Sequence, residues 1–133
     1  MDTLITQLNV NDEGSFQVAL MSIKKIAVEF GYSDTQVAHF LTAASELARN
    51  ILKYAEHGHI QIRSVSRLTQ MGLEIVAIDQ GPGIEDLSLA MQESYSTGGS
   101  LGQGLPGTKR LMDEFSLQSK LGEGTQVRAS LWR

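Results

Sequence analysis

Glu46 and Asn50 stand four residues apart in a stretch whose apolar residues recur at helical spacing: Val37, Phe40, Leu41, Ala44, Leu47, Ala48, Ile51 and Leu52. On a helix, residues i and i+4 share a face, so a carboxylate and an amide oxygen would be presented side by side. An amide oxygen is a hard ligand of the kind Mg²⁺ accepts beside waters and phosphates. A neighbouring carboxylate can take a proton as a general base. His39 and Thr42 precede this stripe, and Lys53, Tyr54 and His57 continue it. The same pattern also suits the solvated face of an amphipathic helix.

Asp79 follows Leu73–Ile78, an almost continuously apolar and β-branched run that reads as a central strand. A carboxylate there can accept a hydrogen bond at a pocket floor. Gly81 and Gly83 would let backbone pass close to a flat ring, although Asp79-Gln80-Gly81-Pro82-Gly83 also fits an ordinary turn. Gly98-Gly99-Ser100-Leu101-Gly102-Gln103-Gly104-Leu105 leads into a helical pattern whose free amides and dipole would favour phosphate. Gly122-Glu123-Gly124-Thr125 reads as a hairpin turn with a hydroxyl that can meet a ligand edge. Nine of the 13 glycines lie between Gly81 and Gly124, so the clustering points to ligand-approaching loops rather than scattered turns.

Other phosphate loops and catalytic motifs fail. Gly102-Gln103-Gly104-Leu105-Pro106-Gly107 spells G-x-G-x-x-G, but no apolar strand precedes it and no acid lies about twenty residues on. Gly107 is followed by Thr108 rather than Lys, which removes a Walker loop. There is no H-E-x-x-H, no G-x-S-x-G and no eukaryotic-type kinase signature. His39, His57 and His59 lack metal-ligand spacing.

The elements that must position these residues follow from periodicity. Thr3–Val10 alternates as a first strand. Ser15–Phe30 is a helix ended by Gly31, and Ser33 or Asp34 caps the second helix. His59–Leu68 alternates as a strand, with a hairpin turn expected at Gln70-Met71-Gly72. Asp86–Met91 reads as a short helix, and a further helix covers Gly107–Phe115 with Pro106 at its start. Phe115–Ser119 and Thr125–Trp132 are the final strands. The expectation is a single domain over residues 1–133, a two-layer α/β sandwich with helices on one face of a mixed sheet.

Length and composition agree with a single core. The chain has 133 residues, 41% hydrophobic and 20% charged, with a formal net charge of −4. The absence of cysteine excludes a disulfide scaffold, a thiolate zinc site and thiol catalysis. No basic stripe is present to neutralise nucleic-acid phosphates. No apolar run reaches the ~18 residues of a membrane span, and no secretory signal is visible, so a cytoplasmic location is expected.

Glu46-x-x-x-Asn50, Asp79-x-Gly81-x-Gly83, the Gly98–Leu105 loop and Gly122-x-Gly124-Thr125 occur in an order that resembles the Bergerat-type (GHKL) ATP-binding fold of gyrase, the heat-shock chaperone ATPase, histidine kinases and MutL. Ser45–Ile51, Asp79–Ile84 and Gly104–Phe115 are similar in wording to the bacterial serine/threonine switch kinases of that superfamily. The resemblance covers nearly the whole chain and is thinnest over residues 1–35. It implies ATP and Mg²⁺ as ligands, with Asn50 on the metal and Glu46 as base for the acceptor hydroxyl. Asp79 would accept from the adenine amino group with Thr125 nearby, and Gly81 and Gly83 would pass under the base. Gly98, Gly99, Ser100, Leu101, Gly102, Gly104 and Leu105 would form the lid over the phosphates, and Lys109 would either reach a phosphate or lie on the helix surface. Tyr54 departs from the superfamily, where many members carry His.

The resemblance implies a protein serine/threonine kinase that phosphorylates STAS-domain antagonist and stressosome scaffold proteins in a stress-signalling partner switch. On release it would bind a PP2C-type phosphatase or similar regulator. The alternatives are an anti-sigma factor kinase that binds sigma directly, and a non-catalytic module that uses nucleotide to select partners.

Overall fold

The computed structural model describes residues 2–81 and 104–133. Strand β1 (Thr3–Val10) is followed by two helices, α1 (Glu13–Phe30) and α2 (Asp34–Tyr54). Both begin with a capping box. The Asp12 carboxylate accepts from the Ser15 N–H at 2.7 Å, and the Ser33 hydroxyl accepts from the Gln36 N–H at 3.2 Å. Gly31 closes α1 in the left-handed region, φ 98°. α1 carries the chain back along the sheet and α2 returns it. β2 (Gly58–Arg67) therefore starts where β1 ended and runs antiparallel to it, with Val10 opposite Gly58.

β3 (Gln70–Asp79) pairs with β2. Helix α3 (Gly104–Leu111) and strands β4 (Glu114–Lys120) and β5 (Gly124–Trp132) complete the described elements. The strand order is β1-β2-β3-β5-β4. β3 and β4 point the same way, but β5 lies between them and is antiparallel to both. This corrects the expected mixed sheet: every ladder among the described residues is antiparallel, because adjacent strands alternate in direction and β5 lies between β3 and β4, which run the same way. The two-layer α/β arrangement itself is as expected.

Two boundaries also differ from expectation. The β2–β3 turn falls at Leu68-Thr69, with Leu68 at φ 51°, not at Gln70-Met71-Gly72. Gly72 instead lies within β3 between Val65 and Trp132, where a Cβ would overlap the Leu131 carbonyl. Helix α3 stops at Leu111 rather than Phe115. There Asp113 turns the chain, its N–H donating to the Ser130 carbonyl and its carboxylate accepting from the Trp132 N–H.

The core lies between the helices and one sheet face. Phe16, Ile23 and Ala27 of α1, and Phe40, Ala44, Leu47 and Ile51 of α2, bury against Ile60, Ile62, Leu73, Ile75, Val127 and Ala129. Each large side chain so buried contributes roughly 1.5–3 kcal/mol. Between the helices and the far end of the sheet sits Tyr32. Its hydroxyl donates to the Leu131 carbonyl and accepts from the Leu73 N–H at 2.9 Å, and burial pushes its pKa well above the ordinary tyrosine value. On the outer face Glu74, buried in the central strand, is flanked by Arg63 at 3.5 Å and Arg128 at 3.2 Å. Among the described residues no helix is long and apolar enough to cross a membrane.

Candidate functional site

The end of β3 is built around Asp79. It faces Gly58 across the β2 ladder and Thr125 across the β5 ladder. Three glycines make this crowding possible. A Cβ on Gly58 would sit 2.5 Å from the Ile78 carbonyl oxygen and 3.1 Å from the Asp79 Cβ. A Cβ on Gly124, whose φ is 99°, would overlap the Asp79 carbonyl. A Cβ on Gly81 would lie 2.7 Å from the Ala55 Cβ. Real side chains do not tolerate such separations, so glycine is required at each position.

The Asp79 carboxylate is itself oriented. Its Oδ1 accepts from the Gly81 N–H at 2.9 Å, an Asx turn that orients the side chain. Beside it, the Thr125 hydroxyl lies 2.9 Å from the Ser119 hydroxyl on β4. An open cleft of about 270 Å³ borders Asp79, Ser119, Lys120, Gly124 and Thr125 at this end of the sheet. A carboxylate and a hydroxyl at the rim of such a cleft suit a ligand edge bearing N–H donors.

Helix α2 supplies the second half. Glu46 is only 4% exposed, so it does not lie on a solvated helix face. Asn50, one turn further on, is half-buried. Ala55 caps α2 and meets Gly81, so the helix carrying Glu46 and Asn50 ends against the turn that orients Asp79. The chain then leaves α2 through Glu56, which takes a left-handed φ of 69° that usually falls to glycine. Lys53 stacks on the exposed Tyr54 ring at 5.1 Å.

The remaining residues singled out from the sequence divide three ways. Gly83, Gly98, Gly99, Ser100, Leu101 and Gly102 lie outside the described residues, as does Asp86–Met91. Gly104 opens α3 at φ 70°, with no described residue within 4 Å of where its Cβ would lie, and that left-handed backbone conformation calls for glycine. Leu105 is buried in the core cluster. Thr108 is fully buried and donates to the Gly104 carbonyl, while Lys109 is exposed on the helix surface. Among the described residues no three His, Asp or Glu side chains converge as a metal cluster. The donor available on α2 is an amide oxygen, which fits Mg²⁺ held chiefly by phosphates and water.

Sequence reasoning missed Ser119 and Gly58. A serine in an alternating strand carries no local signal, and a glycine after a helix reads as a helix terminator. Only the strand register puts both beside Asp79 and Thr125.

Comparison with known proteins shows the family and the fold. The histidine kinase-like ATPase domain family matches residues 10–131. The chain is 51% identical over 109 residues to the serine/threonine-protein kinase RsbT of Bacillus subtilis, covering 82% of each chain. It is 33% identical over 97 residues to an anti-sigma F factor of Caldanaerobacter subterraneus subsp. tengcongensis, covering 70% of this chain and 68% of that one. Among solved structures, the histidine kinase domain from the Erythrobacter litoralis EL346 blue-light activated histidine kinase superposes with a TM-score of 0.52 at 19% identity. That match covers 92% of this chain and 63% of the other, and shows a shared fold.

Proposed function

The chain belongs to the histidine kinase-like ATPase domain family, and we propose that it works as an ATP-dependent protein serine/threonine kinase whose acceptors are STAS-domain antagonist and stressosome scaffold proteins. On release from an antagonist it binds a downstream regulator such as a PP2C-type phosphatase, and it does so in the cytoplasm. The observation that carries the catalytic part is the contact of Ala55 with Gly81. It ties the helix bearing Glu46 and Asn50 to the turn that orients Asp79.

In this reading Asp79 accepts a hydrogen bond from the adenine amino group, and Thr125 completes that edge. Asn50 would offer its amide oxygen to Mg²⁺, which would supply neutralisation of the phosphate charge. Glu46 accepts the proton of the incoming serine or threonine hydroxyl. That oxygen forms its bond to the γ-phosphorus as the bond to the β–γ bridging oxygen breaks, and ADP leaves with the electron pair. Phosphoryl transfer depends mostly on positioning and charge stabilisation. The burial of Glu46 and the glycine-locked surroundings of Asp79 both serve positioning.

The test is to incubate the chain with Mg²⁺ and γ-labelled ATP and a panel of purified STAS-domain proteins. Label on a serine or threonine of a STAS protein is expected. Failure to label any of them, with ATP binding intact, overturns the acceptor assignment. The similarity to anti-sigma F factors favours one second reading, in which the chain binds a sigma factor directly. Nucleotide-dependent co-elution with sigma, and none with a phosphatase, would select it.

A further inference from the structure

Ser119 and Thr125 share a hydrogen bond whose direction is set by a third group. The Ser119 hydroxyl is 3.1 Å from the carbonyl of Gly124, a buried residue, and donates to it. It is also 2.9 Å from the Thr125 hydroxyl. A serine hydroxyl has one proton and two lone pairs. Both bonds form together only when Ser119 gives its proton to the Gly124 carbonyl and Thr125 gives its own to Ser119. The reverse direction makes one bond and leaves the 3.1 Å approach to the Gly124 carbonyl without a proton.

With its proton committed, Thr125 can only accept from a ligand. Asp79, directly opposite on β3, presents a carboxylate, which also only accepts. We propose that Ser119 is a positioning residue that fixes Thr125 as an acceptor, making this edge of the site selective for a 6-amino purine over a 6-keto purine. The proposal rests on the reading that the Asp79 end of the cleft holds the nucleobase. It assigns the selectivity to a residue of β4 two strands away from Asp79. A 6-keto oxygen brought to the same place meets acceptors alone and is left without a donor.

The experiment measures dissociation constants for Mg-ATP and Mg-ITP, which differ only at this edge. Wild type, Ser119→Ala, Ser119→Thr, Thr125→Val and the Ser119→Ala/Thr125→Val double variant are compared. In Ser119→Ala the Thr125 proton is released and can meet the 6-keto oxygen. The preference for ATP over ITP is expected to fall about tenfold, the worth of roughly one hydrogen bond. Ser119→Thr, which keeps the hydroxyl, restores the preference. On the Thr125→Val background Ser119→Ala has no further effect on the ratio. The ratio is insensitive to a general loss of folded protein, which scales both affinities alike. An unchanged ratio in Ser119→Ala with ATP still bound overturns the role of Ser119 and leaves the nucleotide reading standing. Failure of wild type to bind ATP, or equal affinity for ATP and ITP, overturns the nucleobase reading and the proposal with it.

Discussion

The carbonyl of Asp79 occupies the space that a side chain on Gly124 would need. The two residues belong to different strands, and their approach sets how near β5 comes to the end of β3. Gly124 also holds a left-handed φ of 99°. Closeness and backbone conformation therefore impose the same residue at one position, and Thr125 reaches its place opposite Asp79 only because both conditions are met.

Gly124→Ala is accordingly expected to lose about 1–3 kcal/mol of stability from backbone strain alone, with the overlap adding to it. Urea unfolding gives that loss, and nucleotide titration below the unfolding midpoint should show weakened ATP binding. Stability and affinity equal to wild type would mean that β5 can move away from β3 without consequence.

Asp79→Asn replaces an acceptor-only carboxylate with an amide that also presents an NH₂ group. A lost hydrogen bond to a charged group costs about 1.5–3 kcal/mol, or roughly 10- to 150-fold in affinity for ATP. Calorimetric titration measures it. Retained affinity would remove Asp79 from the nucleobase site.

Glu46→Gln keeps the volume of a buried side chain and removes the proposed base. ATP binding and capture by the proposed STAS-domain partner should persist, while phosphate transfer falls about 10²- to 10⁴-fold. A companion Asn50→Ala variant should lose Mg²⁺-dependent ATP affinity or turnover. If Glu46→Gln loses partner binding together with transfer, Glu46 is an interface residue.

Tyr32→Phe deletes one oxygen and leaves the Leu73 N–H and the Leu131 carbonyl without their partner. Such buried groups cost about 1–3 kcal/mol when unsatisfied. The urea midpoint should fall with an unchanged slope. ATP affinity of the folded protein should hold, since Tyr32 sits at the end of the sheet opposite Asp79.

The Asp12 carboxyl is held below its ordinary value by the Ser15 N–H. A depressed folded-state pKa stabilises the protein above the unfolded-state value, and that contribution is lost as pH falls through the folded-state value. Asp12→Asn still accepts the capping bond but does not titrate. Thermal melts from pH 6 downward, between roughly pH 4 and the acid limit, should therefore show a shallower decline in the variant than in wild type.

Features carried by local chemistry were legible in the sequence. Gly31 as a stop, a cap at Ser33 or Asp34 and the apolar run before Asp79 each announce themselves within a few residues, and Thr3–Val10 is a strand with those bounds, whereas the Asp12 cap that starts α1 at Glu13 rather than Ser15 went unread. Features set by neighbours distant in sequence were not. Gly72 reads as a turn because glycine usually marks one, yet it is a strand residue kept small by Leu131 and Trp132. The Glu46–Asn50 stripe resembled a solvated face, and only packing shows that Glu46 is enclosed. Tyr32 and Ser119 act through bonds to other elements, which periodicity does not encode. The insertion of β5 between β3 and β4 is likewise a tertiary choice, and it turned an expected mixed sheet into an antiparallel one.

The place of β5 also bears on how the protein is made. It is the latest strand in chain order and an interior strand of the sheet. A nascent chain on the ribosome that has emerged only through β4 leaves Asp79 on an open edge, with the amides and carbonyls of β3 available to any other strand. Pairing with the wrong chain competes with completion during that interval. Thr125 can stand beside Asp79 only once β5 has paired with β3, so a chain cut short of β5 is expected to expose the β3 edge and to lose this half of the site altogether.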